Sequence, residues 1–113
     1  MALPLNVFKT INYVAPTSPV GIYTAPTGYS AVVLMAHAAN IDAASHDITF
    51  SQERSVAGIA VTTELLKNTA IPGNDALNLI TGRLVVQTGD SLLLSASDPN
   101  NVKVTISILE TLN

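Results

Sequence analysis

The chain has 113 residues, eight acidic side chains against five basic ones, a formal charge of −3 and no cysteine. The missing cysteine excludes disulfide staples, thiolate catalysis and zinc–thiolate sites. The five cations (Lys9, Arg54, Lys67, Arg83, Lys103) are scattered, so there is no basic patch of the kind nucleic-acid binding needs.

Charged residues make up only 12% of the chain, about half the average for a soluble domain, and the mean hydropathy is +0.40. No apolar run approaches the ~18 residues of a membrane span, and "MALPLNVFKT" lacks the basic and apolar regions of a signal peptide. A chain this poor in charge is expected to cover part of its surface with other chains. Its length suits one domain with a real core, so folding needs no metal or disulfide.

Taken in chain order, the strand signals are continuous. Runs rich in Val, Ile and Thr lie at Phe8–Tyr13, Gly21–Thr24, Ser30–Ala39, Asp47–Gln52, Gly58–Leu66, Ala76–Ile80, Arg83–Gln87, Ser91–Ala96 and Val102–Leu109. The segment "TTELLKN" is the nearest thing to a helical pattern. It is short and follows "GIAV", so it reads as the continuation of a long strand. Turn chemistry separates the runs: "APTSP", "APTG", "IPGND", "QTG" and "SDPNN". The first stretch, Met1–Tyr13, is apolar at Leu3, Leu5, Val7 and Phe8 and is followed by a proline-rich hinge. It is expected to act as an arm (residues 1–19) that pairs with another subunit, ahead of a sandwich domain (residues 20–113). The alternative is an ordinary first strand.

One cassette occurs twice. "TGYSAVVLMA" and "TGDSLLLSA" each open with Thr-Gly, carry a Ser three residues after the Thr and run into apolar residues. A polar break and an alternating strand then follow each. These features define an all-β chain: a jelly-roll-like antiparallel β-sandwich of about eight strands, with two repeated halves as the candidate origin. The runs Ala31–Ala36 and Leu92–Leu94 are apolar on both faces. One face is expected in the core and the other against a neighbour, which nominates Val33, Met35 and Leu93, with the arm residues Leu3, Leu5, Val7 and Phe8, as the assembly interface.

The chemistry-bearing residues are sparse. His37 and His46 flank "AANIDAAS", with Asp42 and Asp47 nearby, and two His with a carboxylate is a known metal triad. The spacing matches no metal motif, so no metal site and no cofactor are expected. Serines are plentiful but no GxSxG elbow exists, and the acids sit in turns or at strand ends where local hydrogen bonds explain them. No catalytic residue is nominated. Tyr29, directly after Gly28 in a turn, is the one aromatic expected to reach a ligand.

Two long segments carry a resemblance. They are "GIYTAPTGYSAVVLMAHAANIDAASHDITFSQ" and "IPGNDALNLITGRLVVQTGDSLLLSASDPNNVKVTISILE". With their YTAP box and their "GRLVVQTGD…SA…SILE" ending, they resemble small β-sandwich structural proteins of tailed bacteriophages, cyanophages among them. The likeness runs from Gly21 to Glu110 and leaves out residues 1–20. It implies a virion subunit without catalytic residues, made in the host cytoplasm: a head decoration or cement protein, or a neck, tail or fibre-associated protein. The implied partners are further copies of the chain, with a trimer as the candidate stoichiometry, and other capsid or tail proteins. Neither nucleic acid nor membrane is among them. The alternative from another class is a receptor- or carbohydrate-binding module at the virion surface; a small hydrolase subunit is the remote third.

Overall fold

A computed structural model describes residues 5–113. Among these, nine strands form two antiparallel sheets and no helix occurs. In chain order they are β1 (Asn6–Val14), β2 (Val20–Thr24), β3 (Tyr29–Asn40), β4 (His46–Val56), β5 (Ile59–Ile71), β6 (Ala76–Asn78), β7 (Leu84–Val86), β8 (Ser91–Ala96) and β9 (Val102–Leu112). The larger sheet runs β1-β9-β3-β6, with β7 also paired to β3. The smaller runs β2-β8-β4-β5.

This is the expected jelly-roll-like sandwich. The strand count exceeds eight because β6 and β7 share one edge position beside β3, separated by residues 79–83. "TTELLKN" is strand, as expected: β5 runs unbroken through it.

The inner faces interdigitate in a core of Val33, Ile48, Phe50, Leu92, Leu94, Val104, Ile106 and Ile108, all at most 1% exposed. The period-2 pattern of β9 places Val102, Val104, Ile106 and Ile108 inward. Beside them Glu110 continues the inward series and is only 3% exposed. It is not left unpaired. Tyr23 of the opposite sheet donates to its Oε2 at 2.5 Å, and Lys9 Nζ of β1 lies 3.2 Å from Oε1. Burial, and then the Glu110 carboxylate, push the Tyr23 phenol pKa well above its ordinary value.

The repeated cassette has a structural counterpart. β3 and β4 form a corner that leaves the larger sheet and enters the smaller one, while β8 and β9 form a corner running the other way. The two corners embrace: β3 pairs with β9 and β4 with β8. Both Thr-Gly turns close with the same bond, Tyr29 N to Pro26 O at 3.0 Å and Asp90 N to Gln87 O at 2.9 Å. Both need glycine at the third position, where φ is +85° at Gly28 and +86° at Gly89.

The expected arm is a correction. Every residue from Asn6 to Val14 has a partner in β9, so β1 is the edge strand of its own sandwich. The hinge is pinned as well: Ala15 is fully buried and its N–H donates to Val102 O, while Ala96 N–H donates to Pro16 O. The boundary expected at residue 19 therefore separates nothing mechanically. The unpaired row of an edge strand wants a partner, and β9 was available within the chain.

Candidate assembly surface

The outer face of the larger sheet is the part of the molecule least explained by folding alone. Register fixes which residues share it, since directly opposed residues point to the same side. Phe8 lies opposite Leu109, Leu109 opposite Val32, and Val32 opposite Val85. One apolar row thus crosses the whole sheet. Its ends are open to solvent, Phe8 at 75% and Val85 at 54% exposure.

Below this row the sheet is irregular. Two residues of β3, Leu34 and Met35, stand against Ser107 alone, so a β-bulge interrupts the ladder between Val33 and Met35. The extra residue turns both side chains outward, 38% and 40% exposed. Beside them, the gap between β6 and β7 leaves an open groove of about 460 Å³ lined by Leu34, Met35, Ala36, Asn78, Ile80, Gly82 and Arg83. Its single charged group is Arg83, so it holds no acid–base pair.

Val14, opposite Lys103 and 44% exposed, adds a further apolar position, and Thr10, Asn12, Thr105, Ser107, His37 and Asn78 are outward polar ones. Lys103 is the one permanently charged side chain among the outward positions of these strands. The outer face of the smaller sheet differs. Its shallow groove mixes apolar Pro19, Leu93 and Leu94 with Thr49, Ser51, Thr62 and Ser95 and carries two acids, Glu53 and Glu64.

The nominated interface residues divide accordingly. Phe8 and Met35 lie on the apolar face, and Leu5, 68% exposed, precedes β1. Leu3 lies outside the described residues. Val7 faces inward and is half-buried. Leu93 is half-buried on the other sheet, near Gly21. Val33 is a correction: it is fully buried in the core. Strict alternation would put Val33 and Met35 on one face, but the bulge between them reverses the phase. Val32, Leu34, Val85 and Leu109 were missed. They share a row or a bulge only after strands pair, and sequence order holds no signal for that.

Tyr29 is half-buried at the start of β3, where its carbonyl accepts a hydrogen bond from Thr88 Oγ1. The aromatics most open to solvent are instead Phe8 and Tyr13. The histidines are not brought together. His37 lies on β3 opposite Asn78 and Thr105, in the larger sheet, while His46 begins β4 in the smaller one.

His46 does meet carboxylates. Its Nε2 is 2.8 Å from Asp42 Oδ2 and 3.6 Å from Asp98 Oδ2. The other oxygen of each acid accepts backbone N–H groups, Ala43 for Asp42, and Asn100 and Asn101 for Asp98. These bonds hold both acids' pKa values below the ordinary carboxylate range, with His46 the leading cause for Asp42 and the Asn100 N–H for Asp98. Among the described residues this is the one cluster whose donor atoms could share a cation. Its evident work is mechanical: it ties the β3–β4 loop to the β8–β9 loop.

Asp90 makes a second buried anchor, 3% exposed. Arg54 grips it from β4 through Nε (3.0 and 3.1 Å) and Nη2 (2.6 Å), and Gln52 Nε2 and Gln87 N also donate. Arg54 is the main reason its pKa is lowered. The pair anchors the β4–β5 hairpin where it projects past β8: Arg54 stands opposite Val61, and the exposed Val56 and Ile59 lie at the tip beyond it.

The fold therefore defines a small β-sandwich with an apolar outer face. No protein-family model and no curated protein sequence matches the chain. Solved structures do. A chain from the acid-stable capsid structure of Helicobacter pylori bacteriophage KHP30 aligns with a TM-score of 0.57 at 11% identity, over 96% of this chain and 89% of that one. A chain from the T13 particle of infectious bursal disease virus gives 0.58 at 10% identity, over 97% of this chain but only 32% of that one. A chain from the disulfide-linked pili of Bacillus endospore appendages gives 0.51 at 15% identity, over 96% and 88%. At these identities the likeness is one of fold.

Proposed function

We propose that the chain is a structural subunit of a bacteriophage virion. In this reading it is a decoration or cement protein of the capsid, or a neck, tail or fibre-associated subunit. It works by repeated protein–protein contact and carries no enzymatic activity. The observation that carries the reading is the outer face of the larger sheet, an apolar row from Phe8 to Val85 on a surface almost without charge. Burying such a face desolvates few charges, so little is lost on association. Symmetry then multiplies one modest interface into a stable shell or tube. The sandwich likeness to chains of a phage capsid and of a viral particle, along nearly the whole chain, supports the same reading.

The test is particle composition. Virions purified on a density gradient from a culture producing the chain should contain it at tens of copies or more, measured by quantitative mass spectrometry. Recovery only in the soluble fraction, with none in particles, would refute the proposal.

A further inference from the structure

We propose that two copies of this chain pack face to face through the outer surface of the larger sheet, about a two-fold axis parallel to the strands between β9 and β3. This rests on the structural-subunit reading and names its first partner: a second copy.

Area is the first argument. Four strand positions at ~4.8 Å and the nine residues of β1 at ~3.4 Å span a face of roughly 600 Å² per copy. Two copies would bury about 1,200 Å², the floor of a standard specific interface. The side-chain relief of Phe8, Leu34 and Met35 adds to that plane area.

Self-complementarity is the second argument. The axis exchanges β1 with the β6/β7 edge and β9 with β3, so each transverse row stacks on its own copy. Phe8 meets the mate's Val85, and Leu109 meets the mate's Val32, apolar against apolar. Thr105 meets His37, and Asn12 meets Asn78. Lys103 meets Ala39, and Arg83, in the groove between β6 and β7, lies on the edge exchanged with the mate's β1, so neither cation confronts its own mate. A two-fold axis along the rows does less well: it keeps only one row on itself and runs off the end of the sheet beyond Asn6.

The other surfaces suit self-association less well. The smaller sheet presents two anions, Glu53 and Glu64, which a face-to-face contact there would have to desolvate. The outer edge of β5 is interrupted by register shifts, which discourage strand addition.

The test uses the full chain in light scattering over a dilution series, together with cross-linking. A dimer is expected, and Phe8→Asp should weaken it at least ~30-fold, the effect of losing one hot-spot side chain. Ile59→Asp, an equally exposed site on the smaller sheet's hairpin, should leave it unchanged. Because the chain has no cysteine, cross-linking can place the axis. A mixture of Phe8→Cys and Val85→Cys proteins treated with a bismaleimide of about 10 Å span, the spacing of packed sheets, should give cross-linked dimer. Each protein alone should give none, since same-site residues would lie about 17 Å apart across the axis. A dimer insensitive to Phe8→Asp, a trimer, or equal cross-linking of the single proteins would overturn the arrangement. A monomer throughout would remove the second copy as the occupant, yet co-purification with particles would still stand. The two readings therefore fail separately.

Discussion

Asp90→Asn is the sharpest test of what holds the β4–β5 hairpin to the body. The wild-type carboxylate is buried and accepts from Arg54, Gln52 and the Gln87 N–H. The amide keeps one acceptor oxygen, enough for the Gln87 N–H, but turns an N–H toward the guanidinium. The loss is a charge-assisted two-point contact, worth about 1.5–3 kcal/mol. Arg54 is 44% exposed and can be rehydrated, which argues for about 2 kcal/mol and not the 3–5 of a fully buried pair. For 113 residues the unfolding entropy makes each kcal/mol worth roughly 4 °C, so Tm should fall by about 8 °C at neutral pH.

The pH dependence supplies the control. Arg54 lowers the folded-state pKa of Asp90, so its stabilisation is complete above the unfolded carboxylate value of about 4. It is lost as pH falls from there through the lower folded value. Calorimetric melts of both proteins between pH 7 and pH 2 should show the gap narrowing on the acid side. A gap that stays constant, or no gap at neutral pH, would refute an ionic origin.

Three further outcomes follow from single contacts. A Cβ at Gly73 would sit 1.9 Å from the Ala43 carbonyl oxygen, so Gly73→Ala must push the β5–β6 and β3–β4 loops apart and should cost about 1–3 kcal/mol in a thermal melt. Tyr23 holds its proton more tightly when folded, so its share of stability is present below the ordinary tyrosine pKa of about 10 and is lost as pH rises beyond it. Alkaline melts of Tyr23→Phe should lack that component, and at neutral pH the variant should lose about 1 kcal/mol with the hydrogen bond to Glu110. Gly28→Ala and Gly89→Ala each force an L side chain into left-handed backbone with open space around it, so both should cost about 1–2 kcal/mol, and nearly the same amount.

Much of the architecture was legible because strand formation is local. β-Branched runs between turn residues located all nine strands, and clean alternation oriented β9 correctly. What failed was pairing and phase. An apolar edge stretch looks the same whether it reaches another subunit or its own β9, because the choice lies in loop closure and not in the stretch. The bulge at Leu34 leaves no mark in "SAVVLMAHAA": every residue from Ala31 to Ala36 is apolar, so the polar residues that would reveal the phase are absent. The assembly face was half visible for the same reason. Met35 was readable only on the same ground as Val33, which lies in the core, and Phe8 only as part of the expected arm; Val85 and Leu109 join them only through register. The His46 cluster needed Asp98, more than fifty positions away in the chain.

The twin cassettes explain how so short a chain manages this. Each supplies one corner, and the corners clasp so that the two Thr-Gly turns meet at one end and the two polar breaks at the other. At the turn end Gly89 N–H donates to Ala25 O, and Thr88 Oγ1 reaches Tyr29 O. At the break end Ile41 N–H donates to Asn101 O, and His46 faces Asp42 and Asp98. Polar chemistry is thereby spent at the two ends, and Asp90 and Glu110 close the buried margins with paired charges. The broad faces then need little charge for folding, and the larger one keeps nearly none. A monomer with no partner would gain solubility from charges there. Their scarcity, with Lys103 and Arg83 as the cations of that face, fits the face-to-face contact proposed above.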